Sequence, residues 1–167
     1  MDISVFVGGI ADAPAEAICT STNPRLSLMM GTGASVRERG GWDVMRACQT
    51  IAGAGRLAAG SAHATTAGAM PCKTLIHCVA SDPNHLTSAP IVAACVRNAL
   101  ARADEAGCRS VAMPLFGTGH ARMKFDQALT AMRDALHGAT TNVEQVVIVV
   151  HDASRAADVK RAIASRE

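Results

Sequence analysis

Two short segments of the 167-residue chain carry residue types that can hold an anion: Gly31-Thr32-Gly33 and Gly117-Thr118-Gly119. Each falls between a β-rich stretch and a stretch of helical periodicity. Glycine lets the main chain take positive φ and lets a ligand come close to backbone amides. Amides exposed in such a turn, beside a helix N-terminus, form an anion site. Two such loops facing each other can hold the two phosphates of a diphosphate. Neither is a P-loop, because no Lys-Ser/Thr pair follows the glycines. Neither is the dinucleotide fingerprint, because the third glycine is missing at the required spacing. His120, directly after the second segment, is a residue type suited to acid–base chemistry.

No metal chemistry is expected. Six Cys stand at 19, 48, 72, 78, 95 and 108. None forms a CxxC pair, and no Cys/His spacing matches a zinc site. They read as buried, reduced thiols of a cytoplasmic protein. No signal-like start and no apolar run of membrane-spanning length is present. The aromatic share is 2%, so the several exposed rings of a single-stranded nucleic-acid platform are missing. A net charge of +2 with scattered basic residues suits a small anionic ligand and argues against broad nucleic-acid binding. Oligomeric state is left open.

The elements that must position these residues follow from pattern. Strands are expected over Ile3–Val7, Glu16–Thr22, Ser61–Thr66, Thr74–Ala80, Ser110–Leu115 and Val143–Val150. Helices are expected over Ala34–Arg39, Asp43–Ile51, Ser88–Ala106, Phe125–Leu136 and Ser154–Ala164, the last capped by Asp152 or Ser154. The run VVIVV within the last strand implies burial on both faces. Strand and helix alternate through the second half, so the chain is read as one α/β domain, residues 1–167, with a largely parallel sheet. In such sheets ligands sit beyond the C-terminal ends of the strands. The loop after Ser110–Leu115 occupies that place.

Six segments in order carry a family resemblance: Gly8-Gly9-Ile10, Glu16–Asn23 with Pro24, Gly31–Gly41, Gly60–Pro71, Leu75–Val79 and Ser110–Gly119. Together they resemble the macrodomain family over nearly the whole chain. The resemblance implies a three-layer α/β/α sandwich with a mixed sheet of about six strands. It also implies a cleft for ADP-ribose, free or attached to a protein. Under it, Gly9 and Ile10 lie near the adenine, and Thr20 and Asn23 stand in the segment that reaches the distal ribose. Gly31, Thr32, Gly33, Ala34, Ser35 and Val36 wrap one side of the diphosphate. Leu115, Phe116, Gly117, Thr118, Gly119, His120 and Ala121 wrap the other. Phe125 or Phe116 supplies the ring that packs on the distal ribose, and His77 is a core residue. No cofactor is implied.

Four departures bear on mechanism. Gly9 replaces the family's adenine-reading Asp, for which Asp12 is a substitute candidate. Thr20 replaces the first Asn of a pair. Gly33 stands where many hydrolases of the family carry an Asp. Met30–Gly33 (MGTG) resembles a branch whose hydrolases use a Lys, yet no Lys lies near this loop. The reading is therefore an ADP-ribose binder. The alternatives are a hydrolase that removes ADP-ribose from mono-ADP-ribosylated proteins or deacetylates O-acetyl-ADP-ribose, with Asn23 and His120 as catalytic groups, and a domain with an altered nucleotide or RNA ligand.

Overall fold

A computed structural model of the chain describes residues 1–164. The architecture grows from its most apolar strand. Val146 to Val150 are all buried. Val146, Ile148 and Val150 pack into one hydrophobic cluster, and Val147 and Val149 into another. A strand that is apolar on both faces needs a helical layer on each side.

The sheet has six strands: β1 (Asp2–Val7), β2 (Ala17–Thr22), β3 (Ala62–Thr65), β4 (Thr74–Val79), β5 (Ser110–Pro114) and β6 (Gln145–Val150). Their order is β1-β6-β5-β2-β4-β3, and all neighbours are parallel except β3, which runs antiparallel to β4 at the edge. Helices α1 (Gly31–Gly40) and α2 (Trp42–Ala52) contribute Val36, Val44 and Cys48 to one face, against Ile18, Leu75 and Val147. Helices α3 (Ala89–Glu105), α4 (Phe125–His137) and α5 (Ala153–Ala164) cover the other face, where Val96, Leu100, Met132, Leu136 and Val159 meet Ile76, Met113 and Ile148. This is the mixed three-layer sandwich expected from the sequence.

Local chemistry explains the boundaries. Ser88 caps α3, its hydroxyl accepting from the Ile91 amide. Asp152 caps α5, its Oδ1 accepting from the Ser154 amide at 2.8 Å. The sixth strand begins at Gln145 rather than Val143, because the amides of Glu144 and Gln145 both donate to the Arg109 carbonyl in a turn. Five of the six cysteines are buried; Cys72 is only half-buried, which corrects the expectation for all six. All six are free thiols.

The largest difference is at α1. The helix begins at Gly31, not near Ala34. Met30 is extended and its carbonyl accepts from the Ala34 amide, so Gly31, Thr32 and Gly33 are the first helical turn and not a separate loop. Glycine is a poor helix former, which hides this turn from a pattern reading.

Candidate functional site

Strands β2 and β5 are neighbours, but only Ala17–Val111 and Ile18–Ala112 pair. Past those residues the two strands part. The chain leaves β5 for β6 on one side and leaves β2 for β3 and then β4 on the other, so this gap is a topological switch point, the usual place for a ligand in an open sheet. A cleft of about 460 Å³ opens there. That volume suits a small molecule.

Both Gly-Thr-Gly segments reach this cleft, from opposite sides. Gly31 and Thr32 line it from the start of α1. The first amides of a helix have no carbonyl one turn back, and they carry the positive end of the helix dipole. Thr32 Oγ1 accepts from the Ser21 amide at 2.9 Å and so ties this turn to the end of β2. Gly117, Thr118 and Gly119 line the other side. Gly117 has φ +81°, and a Cβ there would meet Thr87 Cγ2 at 3.1 Å, so only glycine fits the bend. Thr118 Oγ1 donates to the Leu115 carbonyl at 2.8 Å, which closes the turn. The amides of Gly119 and His120 donate to no protein acceptor among the described residues. The two segments therefore present free donors to one space.

The other residues singled out in the sequence divide into two groups. Ile10, Asn23, Leu115, His120, Ala121 and Phe125 line the cleft. Asn23 Oδ1 accepts from the amides of Arg25 and Ser27, which fixes the loop and leaves the side-chain amino group as a donor. Gly9, Thr20, Gly33, Ala34, Ser35, Val36 and Phe116 are not among the lining residues. The reasons are physical. Thr20 is buried and its hydroxyl is hydrogen-bonded to His77 Nδ1 at 3.0 Å. Gly33 is buried against Leu28, where a Cβ would stand 3.0 Å from the Leu28 Cα. Ala34, Ser35 and Val36 follow within the helix, and Val36 is wholly in the core. Phe116 is also wholly buried, so of the two candidate rings only Phe125 faces the cleft. Asp12 does not reach it, because Arg39 pairs with its carboxylate at 2.8 Å.

His77 sits mid-strand in the core, as expected. Its Nε2 is hydrogen-bonded to Thr65 Oγ1 at 2.8 Å and lies 3.5 Å from Cys48 Sγ. Burial, with a smaller contribution from His63, pushes its pKa down to about 4, so the ring is neutral.

Several lining residues were not expected at the cleft from the sequence. Met29 and Met30 stand exposed before α1, and Ser81 and His85 follow β4. The His85 ring meets the His120 ring edge-on with centroids 4.7 Å apart. His151, Asp152 and Arg155 follow β6. The signal available was their position just beyond strand ends, not their spacing. Among the described lining residues, Asp152 and Arg155 are the only Asp, Glu, Lys or Arg. No group of three or more His, Cys, Asp or Glu among the described residues is arranged for a metal ion. Among the described residues, no helix is long and apolar enough to cross a membrane.

The family model of the macro domain matches residues 19–132, which run from within β2 through β5 into α4 and include both glycine segments. This chain belongs to the macro domain family. A macro domain-containing protein of Streptomyces griseus is 32% identical over 170 residues, covering 95% of this chain and 93% of that protein. One of Streptomyces coelicolor is 31% identical, covering 90% and 92%. An uncharacterised protein of Mycobacterium tuberculosis is 32% identical over 152 residues, but this chain spans only 42% of its length. Among solved structures, a variant of the Oceanobacillus iheyensis macrodomain with ADPR superposes with a TM-score of 0.86 at 20% identity, covering 95% of this chain and 90% of that one. The Trypanosoma brucei macrodomain in complex with ADP-ribose gives 0.80 at 19%, covering 96% and 67%. At such identities the likeness of this macro domain to those structures is one of fold.

Proposed function

We propose that the cleft binds ADP-ribose, free or attached to a protein, with the diphosphate held between the first turn of α1 and the Gly117–Gly119 turn. One observation carries this reading: two segments rich in free amides face one another across a single gap in the sheet. Backbone amides recognise a diphosphate by position, so side-chain substitutions around them are tolerated. On this reading the ligand runs across the strand ends. The ends of β1 and β6, with Ile10 and Val149, take one nucleoside end. The ends of β2 and β4, with Asn23, His85 and His120, take the distal ribose. The fold's neighbours from Oceanobacillus and Trypanosoma, solved with ADPR and ADP-ribose, support the choice of ligand. Calorimetric titration with ADP-ribose tests it.

A hydrolase reading stands second, favoured by His85 and His120 beside Asn23 at the distal end. The lining carboxylate, Asp152, stands at the end of β6, with β5 between it and β2. Catalysis would therefore rest on positioning a water against the distal ribose, without a carboxylate base. Release of ADP-ribose from a mono-ADP-ribosylated protein is the assay. Unchanged turnover in an Asn23→Ala variant would count against this route.

A further inference from the structure

Past Asn23, just beyond the end of β2, the wall of the cleft continues as a segment in which burial alternates. Pro24, Leu26 and Leu28 are buried, while Arg25, Ser27 and Met29 are exposed. Asn23, Ser27, Met29 and Met30 all line the cleft, so the exposed side of this segment is its rim on the α1 side. Met29 is 65% exposed and Met30 63%. Two large apolar side chains left side by side in water gain free energy when a partner covers them. Methionine suits such a surface, because its flexible chain and polarizable sulfur pack against partners of differing shape.

The same rim is cationic. Arg37, in the second turn of α1, donates to Met29 Sδ at 3.2 Å and holds that side chain in place. Arg25 is exposed, and only its backbone amide is tied down, by Asn23. Across the cleft, Arg122 and Lys124 are exposed between Ala121 and Phe125, both of which line it. Among the described residues none of these four cations pairs with a carboxylate, although Glu38 stands beside Arg37 in the chain. Arg39, Arg46, Arg102 and Arg109 each have such a partner. On the wall that carries His85, Asp82 turns its Oδ1 to the amides of Asn84 and Leu86.

A free diphosphate sugar does not need this rim, since a thioether offers an anion nothing. Apolar side chains flanked by unpaired cations match a polypeptide with apolar and acidic side chains. They match a nucleic acid poorly, because its bases stack on rings and not on thioethers.

We infer that the Met29–Met30 rim, with Arg25 and Arg37, docks the polypeptide that carries the ADP-ribose and favours an acidic and an apolar residue beside the modified one. The inference rests on the proposed binding of ADP-ribose and adds to it the partner. On that reading Asn23 stands at the distal ribose, so a chain attached there leaves the cleft over the methionines that follow on the same segment.

The test is calorimetry with free ADP-ribose and with two peptides that carry ADP-ribose through a hydrolysis-resistant amide link. One peptide has Leu and Glu around the modified position; in the other Lys replaces each Glu. ADP-ribose joined to the end of a short single-stranded RNA is the fourth ligand. The proteins are the wild type, the double variant Arg25→Gln with Arg37→Gln, and Met29→Ser, each checked by thermal melting. Every affinity is read relative to free ADP-ribose in the same protein, which separates docking from the hold on the diphosphate.

The wild type is expected to bind the Glu peptide roughly tenfold tighter than free ADP-ribose and the Lys peptide no tighter than about twofold. High salt is expected to narrow the difference between the two peptides. The double variant is expected to bring them to within about twofold, and Met29→Ser to cut the gain of the Glu peptide by about threefold. Equal affinity for free ADP-ribose and both peptides would overturn the inference and leave the binding reading intact. A gain that survives both variants undiminished, or a larger gain with the RNA than with the Glu peptide, would also overturn it. Failure of the wild type to bind any of the four ligands would overturn the binding reading itself, and this inference with it.

Discussion

The Thr32 hydroxyl accepts a 2.9 Å hydrogen bond from the amide of Ser21, which fixes the first turn of α1 to the end of β2 at the wall of the cleft. This contact decides where the free amides of α1 point. A Thr32→Val variant keeps the volume and removes the acceptor. It is expected to lose about 1 kcal/mol of stability and to bind ADP-ribose more weakly, although valine touches no phosphate-binding amide. Denaturation and titration of the same preparation check both effects.

Gly119 separates binding from folding. No atom lies within 4 Å of a Cβ built there, and the residue is exposed at the cleft. Gly119→Glu is expected to melt like the wild type while losing roughly a hundredfold or more in affinity for ADP-ribose, because a carboxylate then stands beside the diphosphate. Retained affinity in the folded variant would remove the second loop from the site. Gly33→Glu is a poorer probe, since the contact with the Leu28 backbone makes it a folding mutation.

The pattern of the sequence places some of these residues correctly and others not. VVIVV announces a strand covered on both faces, and the structure has one. Gly31-Thr32-Gly33 looks like a loop because glycine disfavours helix, yet the first turn has no backbone partners to lose and tolerates it. Phe116 and Phe125 are equally plausible as cleft rings by composition, and only packing separates them. His85, Asp152 and Arg155 carry no motif, because strand order brings them together from distant parts of the chain.

His77 makes stability depend on pH. Its folded pKa, pushed down to about 4, lies below its ordinary value of 6.5. The unfolded chain therefore binds the proton first as pH falls, and stability is lost from about pH 6.5 downward toward pH 4. By pH 5 the expected loss is roughly 2 kcal/mol. Urea midpoints at pH 7 and pH 5 measure it. A His77→Gln variant, less stable at pH 7, is expected to show a smaller difference between the two; an equal difference would assign the acid sensitivity to other groups.

Gly68 approaches Gly40 more closely than any side chain permits. It has φ +57°, and a Cβ there would fall 1.9 Å from the Gly40 carbonyl oxygen. Gly68→Ala is expected to destabilise by about 3 kcal/mol or more, from the clash and the left-handed backbone together. Thermal melting checks this, and a melting point equal to the wild type would show that the junction after α1 is not packed as described.

On the proposed reading the gap between β2 and β5 holds a diphosphate attached to two sugars. Isothermal titration calorimetry with ADP-ribose, with ADP and ATP as controls, tests it most directly. Micromolar binding of ADP-ribose, tighter than that of either control, is the predicted result. The absence of heat with all three would contradict it, and the two facing Gly-Thr-Gly segments would then serve another ligand.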